Sequence, residues 1–466
     1  MRTTALLVLM FTAFPVQAQT VGFLKEVAPI LQEYCFACHD ARRKNGKYEM
    51  TTYEKLMVGG TNGEAIVPGK PLESDFHDLI VTDAARRMPP RDKGEAVPAV
   101  KAAIVAKWIE QGAKLDAGID PKADLVRELR LRRIPPPAPE SYRFPAAVTA
   151  LAFTPDGKSL VAAGHQELTV WSLDGKLEKR LRTRTERAYS IALLPDGLIA
   201  VAGGRPGQEG DVRIYDLQAK GTKVGDVTLL DGVNDNAILV AQLADSDDSI
   251  LCLAISTDGK FMASGGCDRI VRLWDISAGP KKAKLLRTIE NHADWVQGIA
   301  FSNDGKFLAT AARDKTAKVW DLTLNESILT HPDHQQPVNA VAFSPDGSLG
   351  WSVGADRKLR SWKPSGEGKT EKAYDGHTDE ILKLVVHTKT AVAVTASADK
   401  TVRLWDLTKK QPLHALAGLN DFAFSVAVSP DGATIAAGSF DGDVQLWNAK
   451  DGKPIRRFAV SPGMKK

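Results

Sequence analysis

Length, composition and charge already exclude several classes of protein for this chain of 466 residues. At roughly 150 residues per domain, the length excludes a single small fold. Charged residues make up 25% of the chain and apolar residues 43%, which is typical of a globular protein and excludes a disordered one. The 61 Lys and Arg side chains nearly balance the 57 Asp and Glu side chains, so the net charge of +4 does not indicate a nucleic-acid binder.

Residues 1–18 have the pattern of a signal peptide. Arg2 precedes an apolar run from Ala5 to Phe14, and Val16 and Ala18 lie where a signal peptidase needs small residues. This run is far shorter than the ~20 residues of a membrane-spanning helix, and no later segment is long and apolar enough to span a bilayer. We therefore expect cleavage after Ala18 and export to the periplasm, or an equivalent compartment, of a bacterium. An uncleaved N-terminal anchor is the alternative.

Residues 19–118 are predicted to form a small all-α domain. Apolar residues with helical spacing fill positions 24–34. Pro71 favours the start of a second helix, because the N–H that proline lacks has no partner in a first turn. A third helix is expected from about Pro98 to Gln111, where Gly112 can end it.

The segment Cys35-Phe36-Ala37-Cys38-His39 carries the strongest chemical signal in the chain. Two thiols at this spacing can add to the two vinyl groups of one haem, while the adjacent imidazole binds the iron. A thioredoxin-like redox pair would follow a strand, and half a zinc site would need a second Cys or His pair nearby. Neither context is visible. We therefore predict one covalent haem c, attached through Cys35 and Cys38, with His39 as an axial ligand.

Met88 is the best candidate for the second axial ligand. It lies 49 residues after His39, in a loop that the prolines at positions 89 and 90 stiffen. A thioether ligand stabilises reduced iron and raises the potential, which suits an electron carrier. The competing candidates are Met50, Met57 and His77.

Residues 119–144 are predicted to be a linker between two domains. Residues 121–133 form a basic helical stretch, and the prolines at positions 135, 136, 137 and 139 favour an extended, semi-rigid spacer.

Residues 145–460 repeat one pattern, and residues 461–466 form a short tail. An alternating apolar strand meets an Asp-Gly turn, a second strand follows, and each unit closes on an aromatic residue. The intervals between these aromatics are 44, 59, 46, 42, 43 and 42 residues, near the ~40 to 45 of a four-stranded propeller blade. The pattern predicts an all-β propeller of seven blades, whose last blade takes residues 454–460 as its outer strand. The closing aromatics are Trp171, Tyr215, Trp274, Trp320, Trp362, Trp405 and Trp447.

The repeats resemble WD repeats over about 145–460. The Trp-Asp pairs that end at Asp275, Asp321 and Asp406 carry the resemblance, together with Gly376-His377. It implies structural tetrads in which a buried Asp accepts hydrogen bonds from a His and a strand hydroxyl. The matching sets are His292, Thr310, Asp314 and Trp320; His334, Ser352, Asp356 and Trp362; and His377, Thr395, Asp399 and Trp405.

Residues 24–113 resemble the cytochrome-c-like domain found near the N-terminus of many exported planctomycete proteins. Four motifs match in order, namely residues 35–39, 66–71, 87–90 and 108–113. The resemblance implies His39 and Met88 as axial ligands, and gives the 66–71 turn and Trp108 only a structural role.

These features predict an exported monohaem c-type cytochrome that relays electrons to or from a redox partner protein, with the propeller as a platform for a protein or peptide. One alternative is a propeller scaffold whose haem is sensory or structural. Another is a haem-assisted enzyme with its site at the propeller, although no convergent acid and base pair is recognisable. The sequence therefore leaves open whether the protein is an enzyme.

Two further groups of residues, four basic side chains and two cysteines, lie in the repeats. A basic residue follows the tetrad-position Asp in four units, and a solvated turn is favoured over a ring for an anionic partner. Cys252 and Cys267 fall on neighbouring predicted strands and could pair, although separate core thiols are favoured. The basic residues are Arg269, Lys315, Arg357 and Lys400.

Overall fold

The computed structural model describes residues 20–464, apart from positions 325 and 388. The predicted signal peptide therefore lies outside the described residues. The chain divides into two compact units, with the boundary between Arg133 and Ile134. Among the described residues, no helix has both the length and the apolar character needed to cross a membrane.

Short helices build the first unit. A π-helical turn at Phe23–Val27 leads directly into α1, and single 3-10 turns lie at Asn45–Lys47 and Pro71–Glu73. The helix predicted at Pro71 is interrupted, because Ser74 is extended and its buried hydroxyl accepts a hydrogen bond from the Val67 amide. The helices are α1 (Ala28–Tyr34), α2 (Phe36–His39), α3 (Tyr53–Val58), α4 (Asp75–Val81), α5 (Ala99–Glu110) and α6 (Leu125–Arg132).

One apolar core holds these helices together. Phe23 and Leu31 pack into it from the first helical segments, and Trp108 packs into it from α5. The Trp108 indole donates a hydrogen bond to the Lys114 carbonyl at 2.9 Å, so its polar atom is satisfied inside the core. Burial of apolar surface stabilises a protein by about 25 cal/mol for each Å², and this is the main force that holds such short helices together.

The segment predicted as a linker is divided between the two units. Helix α6 packs on the first core, since Leu125 is 1% exposed and its amide donates to the Thr51 carbonyl at 2.8 Å. In the second unit, the Arg180 guanidinium donates to the Pro139 and Glu140 carbonyls. The segment is therefore not one free spacer, because its apolar and carbonyl groups find partners on each side.

A nine-stranded sheet begins the second unit. Its longest strand, β4, pairs with β3 through its first half and with β5 through its second half, so one strand joins two groups of strands. An insertion, β7 and β8, adds to the sheet because β8 runs parallel to the first half of β4. The strands are β1 (Leu151–Phe153), β2 (Ser159–Ala163), β3 (His165–Ser172), β4 (Leu177–Leu193), β5 (Leu198–Arg205), β6 (Glu209–Asp216), β7 (Thr222–Val224), β8 (Val227–Asp231) and β9 (Leu239–Ser246).

In the described part of the second unit, five further sheets each have four antiparallel strands in chain order. Asp-Gly turns join the first and second strands in four of these five sheets, as the sequence predicts, whereas the turn between β22 and β23 has no Asp-Gly pair. The strands are β10 (Ile250–Ile255), β11 (Phe261–Gly266), β12 (Val271–Asp275), β13 (Lys284–Ile289); β14 (Val296–Phe301), β15 (Phe307–Ala312), β16 (Ala317–Asp321), β17 (Glu326–His331); β18 (Val338–Phe343), β19 (Gly350–Gly354), β20 (Leu359–Trp362), β21 (Thr370–Tyr374); β22 (Ile381–His387), β23 (Val392–Ser397), β24 (Val402–Asp406), β25 (Gln411–Leu416); β26 (Ala423–Val428), β27 (Thr434–Ser439), β28 (Asp443–Asn448) and β29 (Pro454–Ala459).

The first strands of successive sheets contact one another, and the last of them returns to the first sheet. Strand β26 contacts β1, and the Val148 amide just before β1 donates to the Ser439 carbonyl at 3.1 Å. The Ser425 hydroxyl of β26 donates to the Val148 carbonyl at 2.7 Å. Strand β29 pairs with β28, which confirms that the last sheet closes in chain order.

Candidate haem site

A short helix brings the two thiols and the imidazole of the Cys-x-x-Cys-His motif to one place. Helix α1 leads straight into the motif, where the Cys35 amide donates to the Leu31 carbonyl at 2.8 Å. The His39 amide donates to the Cys35 carbonyl at 3.0 Å, which closes the turn of α2. Residues three and four apart share a helix face, and Cys35, Cys38 and His39 all line the same cavity.

This cavity has a volume of about 600 Å³, within the ~300 to 1,000 Å³ of typical cofactor sites. Its wall is mainly apolar and aromatic, with a polar side from the loops before and after α3. The lining residues outside the motif include Tyr34, Tyr48, Phe76, Leu79, Ile80, Asn45, Thr61 and Asn62.

A backbone carbonyl fixes the His39 imidazole. Its Nδ1 lies 2.9 Å from the Tyr48 carbonyl oxygen, and because a carbonyl only accepts, Nδ1 must carry the proton. The Nε2 lone pair is then available to a metal. The Tyr48 ring packs edge-on to the imidazole, and its buried hydroxyl donates to the Leu56 carbonyl at 2.7 Å. No sequence pattern indicates this role for Tyr48, because every residue carries a carbonyl.

Met88 lines the same cavity and is 38% exposed there. Its amide donates to the Leu79 carbonyl at 2.8 Å, which fastens the Met88 loop to α4. The neighbouring Arg86 forms an ion pair with Asp78 of the same helix. The loop that carries the thioether is therefore held by a helix that itself lines the cavity.

The competing ligands are placed differently. Met50 lines the cavity, but it is 5% exposed and its amide donates to the His39 carbonyl at 2.9 Å, so it is fastened beside the first predicted ligand. Met57 packs against the core, and neither it nor His77 is among the residues that line the cavity. The structure thus brings Met88, and not Met57 or His77, to the cavity of the Cys-x-x-Cys-His motif.

Both thiols of the motif are free. Burial raises the pKa of Cys35 to about 12, with a further contribution from the Cys38 thiol. Burial also raises the pKa of the Tyr48 hydroxyl. Cys35 is therefore a neutral thiol at neutral pH.

The residues present fit a haem. The cavity offers two free thiols, an imidazole with one uncommitted nitrogen and an accessible thioether inside a mainly apolar wall. Imidazole and thioether ligands on an iron porphyrin are the donor set of an electron carrier.

The predicted tetrads form chains of hydrogen bonds in three sheets of the second unit. In one of them, the Trp320 indole donates to the Thr310 hydroxyl at 3.1 Å, and this oxygen lies 2.7 Å from His292 Nε2. His292 Nδ1 lies 2.8 Å from an Asp314 carboxylate oxygen. The strand hydroxyl therefore bonds to the imidazole and not, as predicted, to the carboxylate. The carboxylate bonds to the imidazole and to backbone and neighbouring groups. The same bonds join Trp362, Ser352, His334 and Asp356, and Trp405, Thr395, His377 and Asp399.

These bonds outweigh burial at the tetrad carboxylates. Burial alone would raise the pKa of Asp356, but hydrogen bonds and charge from His334 and Arg360 lower it to about 2. The pKa values of Asp314 and Asp399 are also lowered, by bonds from their His and a neighbouring Thr against the effect of burial. The tetrads therefore hold ionised carboxylates at neutral pH and serve the scaffold.

The remaining cysteines and the basic turn residues belong to the second unit and are not among the residues that line the cavity of the Cys-x-x-Cys-His motif. Cys252 and Cys267 are both free thiols, in agreement with the favoured interpretation. The four basic turn residues are exposed and have left-handed backbones with φ between 67° and 70°. They are Arg269, Lys315, Arg357 and Lys400.

Comparison with protein families separates the two units. The family described as Planctomycete cytochrome C matches residues 35–92, the range that supplies nearly all of the cavity lining. The family described as WD domain, G-beta repeat matches residues 140–172, 238–275, 283–321, 325–363, 368–406 and 410–448. The chain joins a planctomycete cytochrome C domain to WD repeats. The WD matches omit residues 173–237, which contain Tyr215, the one closing aromatic that is not a Trp.

Curated relatives share sequence with parts of this cytochrome and WD-repeat chain. Rat apoptotic protease-activating factor 1 is 30% identical over 127 residues, 27% of this chain and 10% of its own length. Dictyostelium discoideum protein tipD is 29% identical over 210 residues, 44% of this chain and 26% of its own length. Caenorhabditis elegans small ribosomal subunit protein RACK1 is 33% identical over 212 residues, 44% of this chain and 62% of its own length. The chain spans less than two thirds of each of these relatives.

Proposed function

We propose that this protein is an exported monohaem c-type cytochrome that passes single electrons to or from a partner protein, with the WD repeats as the platform that binds a protein or peptide. The observation that carries the proposal is the single cavity that collects Cys35, Cys38, His39 and Met88. No one of these residues indicates electron transfer alone, but together they are the attachment and ligand set of a haem c.

Each residue has a separate role in this proposal. Cys35 and Cys38 would hold the haem through thioether bonds, and the His39 Nε2 and the Met88 sulfur would be its ligands. When bound, the haem supplies a reversible one-electron couple. The Tyr48 carbonyl accepts a hydrogen bond from Nδ1, which holds the imidazole in one orientation and makes it a stronger ligand for a metal. The apolar wall favours the less charged, reduced state.

The WD repeats support an interaction scaffold. We take the scaffold to have seven blades, the first two sharing β4 and each of the other five formed by one four-stranded sheet. The contact of β26 with β1 supports closure of this ring. Its loops are then rigidly positioned, which suits the binding of a protein partner.

Export is the remaining part of the proposal. The pattern of residues 1–18 supports it, and covalent attachment of haem to a Cys-x-x-Cys-His motif suits an exported protein. The mature protein would begin at Gln19 in the periplasm.

The decisive experiment is expression of the full chain in a host with cytochrome maturation machinery. We expect an intact mass with one added haem, a mature start near Gln19 and a reversible reduced-minus-oxidised spectrum of a six-coordinate haem. A Cys35→Ser, Cys38→Ser double variant should lose the covalent haem, whereas Cys252→Ser should retain it. A folded protein without added haem would contradict the proposal, and an iron that binds added ligands would favour a sensory or enzymatic role.

A further inference from the structure

The chain contains two Asn-Gly pairs, and both lie in the wall of the cavity of the Cys-x-x-Cys-His motif. They are Asn45-Gly46 and Asn62-Gly63, and all four residues are exposed and line this cavity. In such a pair the glycine nitrogen easily reaches the Asn side chain, because glycine has no Cβ that blocks the approach. Both turns are therefore candidates for loss of the Asn side-chain nitrogen.

The two turns meet at the Gly46 carbonyl. This oxygen accepts hydrogen bonds from the Thr61 amide at 2.8 Å and from the Thr61 hydroxyl at 2.7 Å. A Cβ atom on Gly60 would lie only 2.7 Å from the same oxygen, so the two segments are in close contact. A chemical change at either pair therefore alters a wall that the two pairs share.

The two glycine amides differ in their hydrogen bonds. The Gly63 amide donates to the Gly60 carbonyl at 3.0 Å. The Gly46 amide, in contrast, donates to no residue in the described part of the chain, since the hydrogen bonds of its turn come from the next two amides. The Asn45 side chain likewise has no hydrogen-bond partner among the described residues, so it is free to rotate toward this nitrogen. The attacking nitrogen is therefore free at Gly46 and bound at Gly63.

We propose that Asn45 is a site of spontaneous deamidation. The Gly46 nitrogen gives its proton to water or hydroxide and forms a bond to the Asn45 side-chain carbonyl carbon. The bond from that carbon to the side-chain nitrogen breaks, which leaves a cyclic imide and releases ammonia. Water then adds to one of the imide carbonyls and breaks its bond to the ring nitrogen, so that the residue becomes aspartate or isoaspartate. No electrons are transferred, and water is the co-reactant.

The reaction places a carboxylate in the cavity wall, where the Asn45 side chain is neutral. Isoaspartate also lengthens the backbone before Gly46, and so displaces the carbonyl that accepts the two Thr61 hydrogen bonds. The deamidation itself does not depend on haem binding. Its redox consequence rests on the proposed function: a negative charge in the wall of the haem cavity stabilises the ferric state and lowers the midpoint potential.

The test follows the full chain during incubation in mildly alkaline buffer. Peptide mapping by mass spectrometry, after digestion in mildly acidic buffer that stops the reaction, measures the two pairs separately because Lys55 provides a cleavage site between them. Aspartate and isoaspartate should form at Asn45 about fivefold faster than at Asn62, the factor that corresponds to one net hydrogen bond at the Gly63 amide. An Asn45 that stays intact, or that reacts no faster than Asn62, would overturn the proposal.

Gly46→Ala and Gly63→Ala are matched variants, because both glycines have positive φ and an added Cβ meets no atom within 4 Å at either position. Gly46→Ala should slow the reaction at Asn45 severalfold, whereas Gly63→Ala should leave it unchanged; equal rates in the two variants would also overturn the proposal. Asn45→Asp carries the product and should have a lower midpoint potential than the wild type, and an equal potential would overturn the redox consequence. A chain without haem contradicts the proposed function and leaves the mass measurement valid.

Discussion

At the residue scale, a backbone atom decides how the central imidazole can act. The Tyr48 carbonyl accepts a hydrogen bond from His39 Nδ1 at 2.9 Å, so the ring cannot turn without losing that bond. The Tyr48 side chain is fastened in turn through its hydroxyl to the Leu56 carbonyl. The orientation of the proposed ligand therefore depends on a segment that begins nine residues later in the chain.

Substitution of Met88 tests the proposed second ligand. Met88→Ala should leave the haem attached, open the iron to added ligands such as imidazole, and lower the midpoint potential. We expect a decrease on the order of 0.1 V, within the ~0.8 V over which axial ligands move haem potentials. Spectroelectrochemistry of the full chain measures both effects. Met57→Ala is the control, because Met57 does not line the cavity, and equal spectra and potentials for the two variants would remove the ligand role of Met88.

Substitution of Tyr48 tests the anchor behind His39. Tyr48→Phe removes the donor to the Leu56 carbonyl and leaves a buried acceptor without its partner, which should lower the free energy of unfolding of the first unit by about 1 to 2 kcal/mol. Urea denaturation followed by far-ultraviolet circular dichroism measures this change. Tyr34→Phe is the control, since the Tyr34 hydroxyl accepts from Lys101 near the surface and its loss should cost about 0.5 kcal/mol or less. Equal free energies of unfolding for Tyr48→Phe and Tyr34→Phe would show that the hydrogen bond of the Tyr48 hydroxyl does not stabilise the first unit.

At the element scale, each tetrad joins three parts of one sheet. The Trp lies on the third strand, the hydroxyl on the second, and the His in the loop before the first. In the set of Trp320, Thr310, His292 and Asp314, each polar side chain is hydrogen-bonded inside the sheet, so these bonds orient the strands without leaving a member of the set unpaired.

The acid stability of the sheet formed by β18–β21 depends on Asp356. Its pKa in the folded protein is about 2, below the ordinary 3.8, so its stabilisation is complete above pH 3.8 and is lost as the pH falls toward 2. The amount is about 2 kcal/mol for a side chain that is 8% exposed. Asp356→Asn should be less stable than the wild type at pH 7, and this difference should shrink between pH 4 and pH 2.

Chemical denaturation at successive pH values measures the acid effect. Asp379→Asn changes an exposed aspartate of the neighbouring region and should follow the wild-type profile. A constant difference between wild type and Asp356→Asn across this range would mean that Asp356 titrates alike in the folded and unfolded chains.

At the scale of the whole molecule, helix α6 changes where the first unit can be cut. The sequence predicts a first domain of residues 19–118, but a fragment with these bounds lacks Leu125, which is 1% exposed in the core. Burial of one Leu contributes about 1.5 to 3 kcal/mol. A fragment of residues 19–133 should therefore bind haem and melt clearly higher than one of residues 19–118. Equal melting temperatures would show that α6 does not stabilise the first unit.

Local patterns in the sequence were enough to predict much of the molecule. The Asp-Gly turns and closing aromatics predicted the repeated sheets, because a hairpin and its register depend on residues that are close in the chain. The nine-stranded sheet was harder to predict, because β4 is one continuous strand that joins two sets of strands. The sequence predicts a linker over α6, because this segment is rich in basic residues and Leu125 is its one buried residue.

The sequence by itself determined the order of the two parts, the Cys-x-x-Cys-His attachment motif and the residues of the tetrads, because each is written in local spacing. Only the tertiary structure decided that Met88 shares a cavity with His39 while Met57 and His77 do not, since these residues meet through the packing of α4 and its loop. Contacts between distant segments depend on how the elements pack, and no local pattern encodes them.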